Sequence, residues 1–217
     1  MQDGTLHIGE DNSTLVRFIT SASRAMRPDT IRITLEVVNR GATLAAAQSA
    51  TNRQLAAAVD TAKSTDGIKV TTGSPYAYED RQNGGLWPSA ATQSLTLTSG
   101  DFETALALAG KLQAADPSLA LKGMAFGLSD EARNALNAEL LKEAVAQGNA
   151  IATTMKDATG AAGMTAVELS PNLDGNSRFG GRAVAMAQSL ESASAPVAEP
   201  EDLEVSVSLT AVYRLFK

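Results

Sequence analysis

The C-terminal part of the sequence alternates apolar and polar residues more regularly than any other segment. Over residues 203–216 every second position is apolar, from Leu203 to Leu215, and most positions between them are polar. Successive side chains of a β-strand point to opposite faces of a sheet, so this pattern predicts a long strand with one buried and one wet face. Residues 30–37 alternate in the same way and predict a second such strand.

Three segments between the predicted strands repeat apolar residues every three or four positions, which is the period of an amphipathic helix. They cover residues 42–63, 101–115 and 129–159. Ser129, followed by two acidic residues, suits the start of the longest helix, because hydroxyl caps and carboxylates stabilise a helix N-terminus. The chain contains 39 alanines, so these helices are expected to lie close to a sheet.

The predicted elements follow the order β-β-α-β-β-α-β-α-β-β, with several hairpin connections. This order predicts an α+β fold in which a mixed or mostly antiparallel sheet carries Ala-rich helices on one face, one of them long. Residues 1–13 show no period and are predicted to be a flexible tail. Residues 14–217 then form one domain, and a division into two lobes near residue 99 stays open. The other predicted strands cover residues 14–23, 68–72, 92–98, 119–128 and 164–169.

Two long segments lack a clear period and are predicted to be loops. Residues 73–91 form the tip of a hairpin, and Asn83-Gly84-Gly85 within them is a strong turn signal, because glycine tolerates positive φ. Residues 171–200 are rich in Gly, Ser, Ala and Pro. A loop of that length is unusual inside a compact domain, so this segment is expected to be either mobile or functional.

Composition excludes several classes of function. The chain has no Cys and one His, which rules out disulfides, thiolate zinc sites, Cys nucleophiles and multi-His metal sites. The formal charge of −6 argues against nucleic acid or an anionic membrane as the main partner. No stretch approaches the roughly 20 apolar residues that a membrane span requires. The N-terminus lacks the pattern of a signal peptide, so we expect either a cytoplasmic protein or a mature exported form.

No motif predicts catalysis, a cofactor or a metal. The only His, His7, lies in the predicted tail, so a Ser–His–acid triad is not expected. The acids Glu79 and Asp80, and a cluster at residues 199–204, are interpreted as solvated turn and edge charges. Asp174-Gly175-Asn176 resembles part of a calcium loop but lacks the further ligands.

Aromatic residues concentrate in the predicted hairpin tip, which contains Tyr76, Tyr78 and Trp87. Such residues pack under long loops, but exposed Tyr and Trp are also favoured at protein interfaces, so both interpretations stay open. Arg178, Phe179 and Arg182 of the second loop are weaker candidates for the same role. These six residues form the candidate interaction surface.

Four stretches, in their order and spacing, resemble those of one bacterial family. They are Met26 to Val37 (MRPDTIRITLEV), Gly67 to Tyr78, Gly123 to Val145 and Pro200 to Tyr213. The sequence thereby resembles the SIMPL-domain family, the periplasmic immunogenic proteins that are also described as a domain of unknown function. The resemblance implies an exported, envelope-located protein without known enzymatic activity. It also implies a link to envelope stress and ring-like or channel-like homo-oligomers, and it supplies no catalytic residues.

Three functions from different classes follow. The first hypothesis is a non-enzymatic, self-assembling envelope protein, located in the periplasm or at the outer envelope. The second is a module that binds an unidentified small ligand or peptide between the loops 73–91 and 171–200. The third is a hydrolase or transferase that works through paired carboxylates, which would require two acids on converging strand ends.

Overall fold

A computed structural model describes residues 5–8, 13–79, 89–173, 179–183 and 200–217. Every strand pair in this part of the chain is antiparallel, and the predicted α+β fold with one long helix is confirmed. The elements are β1 (Thr5–Ile8), β2 (Ser13–Met26), β3 (Thr30–Gly41), α1 (Leu44–Lys63), β4 (Lys69–Thr72), β5 (Tyr76–Glu79), β6 (Ser89–Ser99), α2 (Phe102–Ala115), β7 (Leu119–Gly127), α3 (Asp130–Thr159), β8 (Gly163–Asn172), β9 (Phe179–Ala183) and β10 (Leu203–Phe216).

The chain divides into two compact units. The first unit falls within Met1–Arg27, Asp130–Arg178 and Asp202–Lys217, and the second within Pro28–Ser129 and Phe179–Glu201. The two units therefore meet along the chain at the ends of β2 and β7. The division near residue 99, which the sequence analysis left open, would fall inside the second unit. Each unit contains one sheet with helical packing on one face.

In the first unit, α3 packs on a four-stranded sheet of order β1-β2-β10-β8. The buried side chains of α3 recur every fourth residue, so the helix presents a single narrow stripe to the sheet. Inward-facing residues of β2 and β10 complete this core. The buried residues that cluster together are Val16, Phe18, Ala152, Ala211, Tyr213 and Leu215.

The helix α3 approaches its sheet closely at Gly148. A Cβ added there would lie 3.6 Å from Cε2 of Phe18 and 3.8 Å from the Tyr213 hydroxyl oxygen, which is ordinary contact. The rings of Phe18 and Tyr213 stack with centroids 5.6 Å apart. The Tyr213 hydroxyl donates to Oδ1 of Asn149 at 2.7 Å, and the buried Thr20 hydroxyl donates to the Ala144 carbonyl at 2.8 Å. The two hydrogen bonds therefore join the helix to the sheet, and the stacked rings of the sheet lie next to Gly148.

In the second unit, α1 and α2 pack on one face of a six-stranded sheet of order β4-β6-β3-β7-β9, with β5 also paired to β6. Its core is aliphatic, with Ile31, Ile33, Leu35, Leu95 and Leu97 fully buried. We call this the inner face and the opposite one the outer face. The alternation of β3 explains the two faces, because its odd-numbered residues from Ile31 to Val37 are buried and the residues between them are partly exposed.

Three strands were missed by the sequence reasoning. The predicted tail contains β1, which pairs with β2; the predicted hairpin tip contains β5; and the predicted loop 171–200 contains β9. The loop prediction was also wrong at Pro171 and Asn172, which are the last residues of β8. Segments of four or five residues are too short to show a period, and pairing with longer strands stabilises them instead.

Candidate interaction surface

Tyr76 and Tyr78 lie on the same side of β5, and their rings stack with centroids 5.5 Å apart. Tyr76 is 63% exposed, and Tyr78 is half-buried. Register places Tyr76 opposite Thr92 and Tyr78 opposite Ala90, which in turn is opposite Arg40 of β3. Because paired residues share a face, both tyrosines belong to the outer face of the six-stranded sheet.

Of the other four candidate residues, Phe179 and Arg182 lie on a different strand from this pair. Trp87 and Arg178 lie outside the described residues. Phe179 and Arg182 belong to β9, where register pairs them with Gly127 and Ala125 of β7. Strands β6, β3 and β7 separate β5 from β9, which at about 4.8 Å per strand places these two edges roughly 19 Å apart. The strands β5 and β9 therefore lie at opposite edges of the six-stranded sheet.

The outer face carries an excess of positive charge among the described side chains. Arg32, Arg40, Lys69 and Lys122 lie on it, against the single carboxylate of Glu36. Lys122 and Glu36 form an ion pair at 2.6 Å. The cations are therefore concentrated on one sheet face of a chain whose formal charge is −6.

Asp29 holds together two chain segments of the second unit that are 100 residues apart in sequence. Its carboxylate accepts the Ser129 amide N–H at 2.5 Å and the Ser129 hydroxyl at 2.7 Å, and it accepts the Thr30 hydroxyl at 3.0 Å. Partial burial raises the pKa of Asp29, but the hydrogen bonds from Ser129 and Thr30 outweigh it, so the net pKa is lowered. Ser129 directly precedes α3, so Asp29 supports the start of the longest helix.

In the first unit, Arg24 of β2 binds two carboxylates of α3. Its guanidinium donates to Glu139 at 2.6 Å and to Glu143 at 2.5 Å, which lie one helical turn apart. The hydrogen bond to Glu139 and the charge of Glu143 raise the pKa of Arg24. Both acids are therefore engaged by a cation, and neither is placed as the free proton acceptor that acid–base catalysis needs.

The structure describes only part of the acidic sites that were predicted from the sequence. Glu201, Asp202 and Glu204 are exposed, while Asp80, Glu199 and Asp174-Gly175-Asn176 lie outside the described residues. Over the described ranges, no group of three or more His, Asp or Glu side chains is placed to hold a metal ion. None of the three helices combines the length and apolar composition that crossing a bilayer requires, over the same ranges.

Apolar side chains are exposed along β8, which forms one edge of the sheet in the first unit. Val167 and Leu169 are exposed, as is Leu173 immediately after the strand. The register between β8 and β10 shifts at Val167, because Glu168 pairs with Val212 and Ala166 pairs with Tyr213. Val167 is therefore the extra residue of a β-bulge.

Comparison with known families covers nearly the whole chain. Residues 16–213 match the SIMPL family model, described as a protein of unknown function (DUF541). The chain belongs to the SIMPL family. The resemblance inferred from four short stretches is therefore confirmed, and the match spans most of both units. No curated protein matches the SIMPL chain.

Sequence reasoning missed two features of this SIMPL chain. Asp29 lies in one of the resembling stretches, but only the fold shows that its carboxylate binds Ser129. The cations of the outer face are scattered from Arg32 to Lys122, and strand register alone brings them onto one surface. The types of these residues did not indicate either feature in the sequence, because charged and hydroxyl side chains are common on any protein surface.

Proposed function

We propose that this chain is a non-enzymatic protein of the bacterial cell envelope that self-associates through its first unit. The observation that carries the proposal is the distribution of exposed apolar side chains. Exposed apolar patches on globular proteins mark interaction sites. Five of the seven large apolar side chains that are exposed in the described residues belong to the first unit, and three of these, Val167, Leu169 and Leu173, lie together along β8 or directly after it.

The composition supports a function without catalysis. The chain has no thiol and a single imidazole, so most nucleophilic and general-base mechanisms lack their usual groups. The carboxylates Glu139 and Glu143, which lie one helical turn apart, are both bound by Arg24. The composition therefore favours a function through surface contacts over one through reactive side chains.

The form of the β8 edge favours contacts of limited size. An open strand edge can pair with further strands without end, and a β-bulge or a charge on the edge opposes such growth. The bulge at Val167, the charge of Glu168 and the proline at Pro171 all lie on this edge. We therefore expect copies to meet through the apolar side chains around Leu169 rather than by extending the sheet.

A charge on this surface tests the proposal. We expect the unmodified chain to sediment as an assembly and Leu169→Lys to lower its mass toward that of the monomer, because a lysine cannot be buried without cost. Leu44→Lys is the matched control, since Leu44 lies on α1 of the second unit and both leucines are 42% exposed. If both variants sediment like the unmodified chain, this surface does not mediate association.

The envelope location and a link to envelope stress rest on the family resemblance alone. Osmotic-shock fractionation of the organism that carries the gene, with an antibody to this chain, tests the location. We expect the protein in the periplasmic fraction, together with a periplasmic marker enzyme. Recovery with a cytoplasmic marker would contradict this part of the proposal.

A further inference from the structure

Two arginines on the four-stranded sheet of the first unit have no polar partner among the described residues. Arg17 of β2 and Arg214 of β10 are both exposed, and neither guanidinium forms a hydrogen bond or an ion pair with a described residue. The helix α3 packs on the other face of this sheet, against Phe18 and Tyr213. Because successive side chains alternate between the two faces of a sheet, both arginines lie on the face away from α3, which we call the arginine face.

Strand register makes the two arginines neighbours. Arg17 is paired with Val212 and Arg214 is paired with Leu15, so the two arginines are diagonal neighbours across β2 and β10. The backbones of such a diagonal pair lie about 7–8 Å apart. Each guanidinium is a planar group of N–H donors, and two of them at this spacing can donate to the same carboxylate. The pair therefore forms a position for one anion.

Exposed apolar side chains lie at both ends of the arginine pair. Ile19 follows Arg17 by two residues and is 54% exposed, and Phe216 follows Arg214 by two residues and is 43% exposed. Two residues of a strand span roughly 7 Å, and the strands are antiparallel, so the apolar side chains lie beyond the arginines in opposite directions. Leu15 lies beside the Phe216 end, which is therefore the more apolar of the two.

We propose that the arginine face binds a long-chain carboxylate as a single molecule. The carboxylate head lies between Arg17 and Arg214, and the hydrocarbon chain lies over Leu15 and Phe216. Burial of the chain against these two side chains removes apolar surface from water, which favours binding. The ring of Phe216 lies over Gly163 of β8, where an added Cβ would meet it, so this ring is held against the sheet and offers a fixed surface to the chain.

The local charge fits a ligand with one negative charge. Glu168 of β8 is paired with Val212 and is the one described acid in the rows from Ile19 to Phe216. Its carboxylate accepts the Ser170 hydroxyl at 2.9 Å. Two cations and one acid leave one positive charge, which one carboxylate neutralises. The formal charge of −6 opposes each negative charge that a ligand brings, so it disfavours polyanions and anionic bilayers far more than a ligand with one charge.

The position of the strands disfavours two other occupants. Both β2 and β10 are internal strands in the order β1-β2-β10-β8, so their backbone groups are already paired. A peptide on this face would lose water from its amides without gaining backbone partners, whereas a hydrocarbon chain has no such groups. A second copy docked through the same face would place Arg17 and Arg214 of both copies together, and their like charges repel.

Titration calorimetry with dodecanoate, below its critical micelle concentration, tests the proposal. We expect dodecanoate to bind, and dodecyltrimethylammonium, which carries the opposite charge on the same chain, not to bind detectably. Arg17→Gln and Arg214→Gln should each weaken dodecanoate binding by about tenfold, the loss of one charge-assisted contact. Arg53→Gln is the matched control, because Arg53 is an exposed arginine of α1 in the second unit, and it should change affinity by less than about twofold.

A second pair of variants locates the hydrocarbon chain. Phe216→Ser should weaken dodecanoate binding by about fivefold, because it removes apolar contact area. Ile19→Ser is its control at the other end of the pair and should change affinity by less than about twofold. Thermal unfolding of each variant shows whether the fold is retained.

Three results would overturn the proposal. The first is equal affinity of the Arg17, Arg214 and Arg53 variants, and the second is equally tight binding of dodecyltrimethylammonium. The third is binding to phosphatidylglycerol vesicles without binding to dodecanoate, which would indicate a lipid surface instead. The proposal does not rest on self-association: Leu169 is paired with Ala211 and therefore shares the face of α3, so Leu169→Lys should bind dodecanoate like the unmodified chain whatever its mass.

Discussion

Removing the carboxylate of Asp29 should destabilise the junction at which α3 begins. Asp29→Ala loses two hydrogen bonds from Ser129, at 2.5 and 2.7 Å, and one from Thr30. A hydrogen bond to a charged group contributes roughly 1.5–3 kcal/mol, and solvent reduces that value at a largely exposed carboxylate. We therefore expect a total loss of about 2 kcal/mol, with about half of it for Asp29→Asn, whose amide oxygen keeps one acceptor.

Urea unfolding followed by far-ultraviolet circular dichroism measures this loss, because α3 contributes much of the helical signal. Asp66→Ala is the control, since Asp66 is an exposed acid of the same unit in the connection between α1 and β4. We expect its free energy of unfolding to stay within about 0.5 kcal/mol of the unmodified chain. A loss for Asp29→Ala no larger than for Asp66→Ala would refute the role assigned to Asp29.

The pH dependence gives an independent check. The pKa of Asp29 is lowered in the folded chain, and an unfolded Asp titrates near 3.9. The stabilisation is therefore complete above the unfolded pKa and is lost as the pH falls through the folded pKa. The difference in unfolding free energy between the unmodified chain and Asp29→Asn should be constant near pH 7 and shrink below about pH 4. A difference that does not change over this range would contradict the assigned pKa direction.

Three further changes test the packing inside each unit, each by thermal or urea unfolding. Gly148→Ala should stabilise by about 0.5–1 kcal/mol, because the added Cβ meets Phe18 and Tyr213 at ordinary contact distances and alanine favours a helix; a destabilised variant would mean the contact is tighter. Leu35→Ala should cost about 2–5 kcal/mol, because Leu35 is fully buried in the second unit; a loss below 1 kcal/mol would be inconsistent with that core. Thr20→Val should cost about 1 kcal/mol through the lost hydrogen bond to the Ala144 carbonyl, and an unchanged midpoint would show that this bond contributes nothing.

The elements with long periods could be predicted from the sequence because local rules determine them. Alternation over 30–37 and 203–216 predicted the strands β3 and β10, and the helical period predicted the three helices α1, α2 and α3 of the described residues. Side-chain caps also mark helix starts, as where Asp101 accepts the Thr104 amide N–H at 3.0 Å at the start of α2. The α+β class follows from these elements and their order.

The surfaces could not be predicted in the same way, because they depend on pairing between distant segments. Lys69 and Arg32 share a row only because β4 and β3 both pair with β6. A one-residue change of register would move either side chain to the other face of the sheet. We could not infer that register from the sequence of a single strand. The bulge at Val167 is likewise a property of the β8–β10 pair and not of β8 alone.

Sedimentation of the unmodified chain over a dilution series tests most directly whether this molecule works through contact with its own copies. The account predicts a particle several times heavier than the 22.4 kDa chain at micromolar concentration, which dissociates toward that mass on dilution. A mass of 22.4 kDa at every concentration would contradict it.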